Sequence, residues 1–373
     1  MSHRVIKNSL AFAALLVLGG AARAADLRTL VKELFAVPST TGHEERMAAR
    51  IRGLLPGGMA VETVGLGTVA VRLAGAPGPT LILTGLDGYG HMVSGITPEG
   101  TLTLDRPVPA PNGRFDAYLL GQPVVISTSR GPVSGLVAQP AMHLLTPERR
   151  KALVEGFTLE TAYVDIGVRS EREARAKGVA FLDPVTYPAV LTELAGEKWA
   201  GPGLGQKAVA AVLVDVANEV SERSGGEETV IAWAAQTKLA ARGRGARPPL
   251  GAAQAMAFWR PRRAILVDVM AAGKDGAFPV PGKGPAIVRA WDEGPQDLPL
   301  SLEGPAAAAG IPFQSQVGPG SPLQIPFTGL AYRYLTVALP VEFLDTPSEI
   351  VSLKDVEALR DLLVRFLLAG GER

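Results

Sequence analysis

The chain contains no cysteine. Its absence excludes disulfide staples, thiolate nucleophiles and thiolate-bound zinc together. Histidine is nearly as scarce, with four residues at positions 3, 43, 91 and 143, so imidazole chemistry has few places to stand. An excess of one charge is missing too: 37 Lys and Arg face 36 Asp and Glu, a net of +1, and nothing in this balance argues for nucleic acid. Beyond the N-terminus no stretch is apolar enough to span a bilayer, because Gly, Pro and charged residues interrupt each one. No Gly-x-Ser-x-Gly elbow is present, which removes the sequence support for a serine hydrolase. Gly282-Lys283-Gly284-Pro285 lacks Walker spacing, and its Pro removes an amide donor that a phosphate loop would need.

What the chain does have is apolar material: 47% of its 373 residues are hydrophobic and 20% charged, enough to bury a sizeable core. Residues 1–24 read as a secretory signal, with Arg4 and Lys7 as the basic start, Leu10 to Leu18 as the apolar centre and Ala22-Arg23-Ala24 as the small-residue cleavage site. The apolar centre is far shorter than the roughly 20 residues that cross a membrane. Cleavage after Ala24 would give a periplasmic or secreted chain with no membrane span. Loss of Arg4, Lys7 and Arg23 leaves 34 basic against 36 acidic residues, a net of −2.

Leu27, Leu30, Val31, Leu34 and Phe35 recur at helical spacing behind Asp26 as a cap, and Pro38 ends that helix. A second helix carries Met47, Ile51, Leu54 and Leu55, and strand-like runs follow around Val61, Thr68 to Leu73 and Thr80 to Thr84. From His91 to Tyr187 the texture changes to short β-type runs broken by Gly and Pro, which predicts an inserted β-rich domain over 91–187. Helix and strand patterns then alternate again, with a helix over Lys207 to Val220 and strands over Thr229 to Ala235 and Ala264 to Met270. The last helix opens with Ser352 and Asp355 at capping-box spacing. Such alternation predicts an α/β body of residues 25–90 and 188–373, a sheet flanked by helices.

Eight phrases carry a resemblance that spans nearly the whole mature chain. They are Pro38-Ser39-Thr40-Thr41-Gly42-His43-Glu44-Glu45, Gln139-Pro140-Ala141-Met142-His143, Val164-Asp165-Ile166-Gly167 and Lys177-Gly178-Val179, followed by Ala264-Ile265-Leu266-Val267-Asp268-Val269, Gly282-Lys283-Gly284-Pro285-Ala286-Ile287, Ala309-Gly310-Ile311-Pro312-Phe313-Gln314 and Thr346-Pro347-Ser348-Glu349. In order and in register, they resemble the dinuclear-metal aminopeptidases of the glutamyl, leucyl and deblocking kind, which include endoglucanase-labelled proteins and assemble as tetrahedral particles. The resemblance implies a zinc-exopeptidase-like sheet with a barrel-like insert used in oligomer contacts. It also implies two divalent metals held by two His, two Asp and a Glu, with a second Glu as general base on the metal-bound water.

The aligned positions depart from that set. In Leu83-Thr84-Gly85-Leu86-Asp87, Gly85 stands where the first His ligand belongs, while Asp87 keeps the carboxylate that orients it. Gly205 stands where the bridging Asp belongs. Ala235-Gln236-Thr237-Lys238 puts Thr237 at the general-base position and Lys238 at a ligand position. Asp268 keeps its ligand Asp, and Asp345 replaces the second His. The expectation is therefore a non-catalytic homologue with no metal cofactor, in which the Lys238 ammonium replaces the metal charge between Asp268 and Asp345 and the bulk lost at Gly85 and Gly205 leaves an open cavity for a peptide or partner. Two further readings stand beside it: an aminopeptidase that holds zinc or another divalent metal with rearranged ligands such as Asp87, Asp268 and Asp345, and a structural subunit that co-assembles with an active paralogue. Assembly through the insert, as a homo-oligomer or hetero-oligomer, is expected in either case. His143 in the insert and His91, expected to face solvent after Gly88-Tyr89-Gly90, are read as structural, and Arg242, Arg244 and Arg247 as a solvated basic loop.

Overall fold

The structure, a computed structural model, describes residues 26–138, 141–221, 227–239, 247–273, 278–290, 298–318, 320–328 and 333–369. Residues 1–24, read above as a secretory signal, and Gln139, Pro140, Arg242 and Arg244 lie outside the described residues.

A mixed sheet forms the body, its strands ordered Val61–Val64, Thr68–Leu73, Glu227–Ala234, Ala76–Gly85, Arg263–Ala271, Arg333–Glu342, Glu349–Ser352, Lys198–Gly201 and Thr192–Leu194, with Ala286–Ala290 and Gln314–Gly318 joined to it beside Arg333–Glu342. The four strands at its centre, Glu227–Ala234, Ala76–Gly85, Arg263–Ala271 and Arg333–Glu342, run parallel to one another. Parallel strands are covered on both faces and read as continuous apolar runs, as Leu81-Ile82-Leu83 and Ile265-Leu266-Val267 do here, all fully buried. On one face lies the helix Leu204–Val220, apolar nearly all round because it is itself covered by the helices Leu27–Phe35 and Leu353–Leu368. The helix Leu250–Trp259 and the 3-10 turn Pro322–Phe327 cover the other face.

The first helix forms as its sequence dictates. Asp26 accepts the Thr29 N–H at 2.9 Å, and Leu30, Val31, Leu34 and Phe35 face inward. At the last helix the expected capping box is not made: Ser352 gives no side-chain cap, and the Asp355 carboxylate reaches instead to the backbone N–H groups of Gly282 and Gly284, each at 2.7 Å. Fully buried, Asp355 ties the Gly-Lys-Gly loop to the helix. Two donors held outside the helix win over the single cap bond that spacing alone suggests.

Strands His91–Ile96, Leu102–Asp105, Tyr163–Asp165, Gly131–Ala138, Pro123–Thr128 and Pro184–Thr186 close into a six-stranded barrel. Val93, Leu102, Val124, Ile126, Val137, Val164 and Val185 fill it. Closure leaves these short strands without a free edge, so a small apolar interior suffices. The α/β sheet with helices on both faces and a β-rich barrel is the architecture expected from the sequence.

Candidate functional site

Four residues picked from the sequence come together where the parallel strands end at their carboxyl edge, the place where open α/β sheets bind ligands. Asp87 follows Ala76–Gly85, Lys238 follows Glu227–Ala234, Asp268 lies within Arg263–Ala271, and Asp345 lies in the loop after Arg333–Glu342. The turn after Glu227–Ala234 is built by Gln236, which takes the left-handed conformation at φ 52°. That reversal aims three successive backbone N–H groups at carboxylates: Gln236 donates to Glu44 at 2.9 Å, Thr237 to Asp87 Oδ1 at 2.9 Å and Lys238 to Asp87 Oδ2 at 2.9 Å.

Asp87 has no exposed surface. Beside the two backbone donors it accepts the Thr237 hydroxyl at 2.5 Å and the Thr41 hydroxyl at 2.7 Å. Each oxygen thus has two donors, which is about what a carboxylate can accept. Asp268, 6% exposed, accepts from the Ser321 hydroxyl and from the Val269 N–H. Glu349, 4% exposed, accepts the Gly205 N–H at 2.9 Å and the Asp345 N–H at 3.0 Å, so it joins the start of helix Leu204–Val220 to the Asp345 loop. A carboxylate at a helix start also meets the positive end of its dipole.

The Lys238 ammonium donates to Gln206 Oε1 at 3.1 Å and stands 5.6 Å from the centre of the Tyr89 ring. Burial works against its charge, but Asp268, then Tyr89, Asp87 and Asp345, outweigh that penalty and hold its pKa above the ordinary lysine value. Among the described residues its bonded partner is this amide, while Asp268 and Asp345 act on it through the field and not through an ion-pair contact. Asp345 is half-buried, at φ 61°, and burial raises its carboxyl pKa while Lys238 opposes the rise. Burial likewise pushes Glu349 up to about 7 and pulls Lys207 down to about 7. Lys207 donates to the Val37 carbonyl at 3.0 Å and to the Ser39 hydroxyl.

The glycines do not leave the hole expected of them. A Cβ added at Gly85 would lie 2.6 Å from Thr237 Oγ1 and 3.5 Å from Gln206 Nε2, and one at Gly205 would lie 2.7 Å from Val341 Cγ2 and 3.0 Å from Val269 Cγ1. Neighbouring side chains have taken the space. Gln206 is pinned there by its bonds to the Thr84 hydroxyl and the Gly85 carbonyl, both 3.1 Å. Open volume lies to either side: a cavity of about 510 Å³ bounded by Thr237, Lys238, Asp268 and Asp345, and one of about 340 Å³ that runs from Lys238 and Asp345 to the barrel. Tyr89, Lys238, Val269, Leu344 and Asp345 line both.

His91 does not face solvent. It is 2% exposed, stacks on Phe115 with ring centres 5.0 Å apart, and meets Asp116 at 3.1 Å. His143 is exposed on the short turn Met142–Leu144 and Arg247 is exposed, both apart from the centre. Sequence reasoning missed Thr41, Glu44, Gln206, Lys207 and Glu349 as members of the site. Thr41, Glu44 and Glu349 sit inside phrases compared with the family, and Gln206 and Lys207 directly follow Gly205, so the signal was there; what was missing was which polar group each would serve. Among the described residues no group of three or more His, Asp or Glu stands where it could hold a metal ion.

Comparison with known proteins agrees with the architecture. FrvX of Escherichia coli (strain K12), an aminopeptidase by name, is 23% identical over 355 residues, which cover 91% of this chain and 94% of that one. The TET aminopeptidase of the marine sediment archaeon Thaumarchaeota archaeon SCGC AB-539-E09 superposes with a TM-score of 0.78 at 24% identity, over 91% of this chain and 96% of that one. The Pyrococcus horikoshii TET1 peptidase, described as assembling into a tetrahedron or a large octahedral shell, gives 0.79 at 23% identity over 91% and 98%. Residues 67–362, which hold the central strands, the barrel and most of the residues at the carboxyl edge, match the family described as M42 glutamyl aminopeptidase, and the chain belongs to that family.

Proposed function

We propose that the chain is an exported, catalytically silent relative of these aminopeptidases, which uses the cleft around Lys238 to bind a peptide or a protein segment. One observation carries the reading: the centre is filled by an ammonium and by hydrogen-bonded side chains. Lys238 places a positive charge among Asp268, Asp345 and Asp87, and the oxygens of Asp87 are already saturated by Thr41, Thr237 and the Lys238 N–H. A pair of divalent ions does not fit these residues. Zinc takes three or four fixed side-chain ligands of the His, Asp, Glu or Cys type, and here Asp87, Asp268 and Glu349 are each engaged by backbone N–H groups. Thr237, bound to Asp87, has no basic atom with which to activate water.

Elemental analysis of the purified mature chain, beside turnover of aminoacyl anilides with zinc, cobalt or manganese added, tests this. Substoichiometric metal and no turnover are expected. Two ions per chain with turnover would overturn it. Fold kinship with the Pyrococcus horikoshii shells also supports self-association through the barrel, to be measured as the mass of the particle in analytical ultracentrifugation.

A further inference from the structure

The 340 Å³ cavity between the barrel and the sheet body has a chemistry of its own. Thr40, Ser127 and Tyr187 are among the residues that line it, and the hydroxyl oxygen of each is buried with no hydrogen-bond partner among the described residues. Thr40 is 2% exposed and comes from the body, whereas Ser127 comes from a barrel strand and Tyr187 from the segment leaving the barrel. Buried hydroxyls without partners are uncommon, and three around one space mark a site that a polar ligand completes. The Lys207 amine lines the same space and, with two acceptors in Val37 and Ser39, has a third N–H to offer when protonated. Of the two acids on the wall, Glu349 is spent on the N–H groups of Gly205 and Asp345, and Asp345 lies at the Lys238 end. Arg46, His91, Gln206 and Lys238 also line the space, and Phe115, Leu119, Val125 and Val185 give it an apolar side.

We propose that this cavity binds a small carboxylate with an apolar body, the carboxylate received by Lys207 and the unpartnered hydroxyls and the body by the barrel-side wall. The assignment rests on the reading that Lys238, and not a metal pair, occupies the neighbouring centre. A cationic and hydroxylic lining selects an acid where a lining of carboxylates would select an amine, and the volume falls in the range of small-molecule sites. Free organic acids and the C-terminal end of a short peptide both present this chemistry.

Isothermal titration calorimetry of the mature chain with N-acetyl-L-phenylalanine and its primary amide tests the proposal. The acid is expected to bind at least about tenfold more tightly than the amide. Lys207→Met is expected to bring the acid down to the affinity of the amide, and Tyr187→Phe to weaken both severalfold. The acid–amide comparison needs only the unaltered chain, so it stands whether or not Lys207→Met folds. Equal affinities, a preference for the amide, or no heat from either compound at millimolar concentration overturns the proposal. An acetylated tetrapeptide ending in phenylalanine separates the sources: tighter binding than the single residue assigns the cavity to a peptide terminus, weaker binding to a free acid. Failure of the underlying reading looks different, since it appears as retained metal and anilide turnover whatever the ratio of acid to amide.

Discussion

Substitution of Gly85 by alanine tests whether the space at the centre is truly filled. Gly85 has an ordinary negative φ, so alanine adds no backbone strain, and the whole effect comes from its Cβ. That atom would stand 2.6 Å from Thr237 Oγ1, about an ångström inside normal contact. The hydroxyl cannot rotate away freely, because it donates to the fully buried Asp87 at 2.5 Å. Overpacking of this kind costs about 1 to 3 kcal/mol. Thr237→Ala removes the obstacle and one hydrogen bond to a charged group, at a cost of about 1.5 to 3 kcal/mol. Once the hydroxyl is gone the new methyl has room, so the double variant is expected to lose less than the two single losses together, with a coupling of about 1 kcal/mol or more. Urea denaturation of the four proteins, followed by far-ultraviolet circular dichroism, gives the numbers. Additive losses, or a Gly85→Ala chain as stable as the parent, would refute the claim that Thr237 fills the space beside Gly85.

Three further outcomes follow from the same geometry. Lys238→Ala is expected to lower stability by about 3 kcal/mol, because it leaves Asp268, Asp345 and Asp87 without their cation, and an unchanged melting temperature would contradict the role given to that charge. Asp355→Ala abandons the N–H of buried Gly284 and the N–H of Gly282, whose bond is part-buried, and is expected to cost about 2 to 4 kcal/mol in chemical denaturation, whereas a mere helix cap would cost about 1. Stability is also expected to pass through a minimum near neutral pH. Burial raises Glu349 from 4.5 to about 7, so the folded chain binds more protons than the unfolded one in that interval and stability falls as pH rises through it. Burial lowers Lys207 from 10.5 to about 7, so above neutrality the unfolded chain binds more protons and stability rises with pH. Melting temperatures of the parent, Glu349→Gln and Lys207→Met across pH 5 to 10 check both limbs; a parent profile without a dip, or variants that keep both slopes, counts against the assignment.

Much of the body could be read from residue order because its signals are local. Asp26 with Leu30, Val31, Leu34 and Phe35 specifies a helix and its buried face within one segment, and Leu81 to Leu83 and Ile265 to Val267 announce strands buried on both sides. The misreadings share a cause of the opposite kind. Asp355 lies three residues after Ser352, which looks like a cap, but its partners lie more than seventy residues upstream in the Gly282–Gly284 loop. His91 follows Gly88-Tyr89-Gly90, and its shelter comes from Phe115 and Asp116 at a 3-10 turn more than twenty residues further along. A glycine in a sequence shows that a side chain is absent; it does not show that Thr237, about 150 residues away, has moved into the space.

The backbone accounts for a carboxylate at Asp87 without any appeal to catalysis. Once Gln236 turns the chain into the left-handed region, the N–H groups of residues 236, 237 and 238 point together into a place where water has little access, and each needs an acceptor. Glu44 and Asp87 supply them. Asp87 accepts four donors, two at each oxygen, so its hydrogen-bonding capacity is met within the turn and its neighbours. Its charge in turn favours an ammonium nearby, and Lys238, whose own N–H is one of the four donors, brings that ammonium on the same residue. The turn, the carboxylate and the lysine therefore support one another electrostatically, so the carboxyl edge of the sheet can hold its shape with a side-chain cation at its centre.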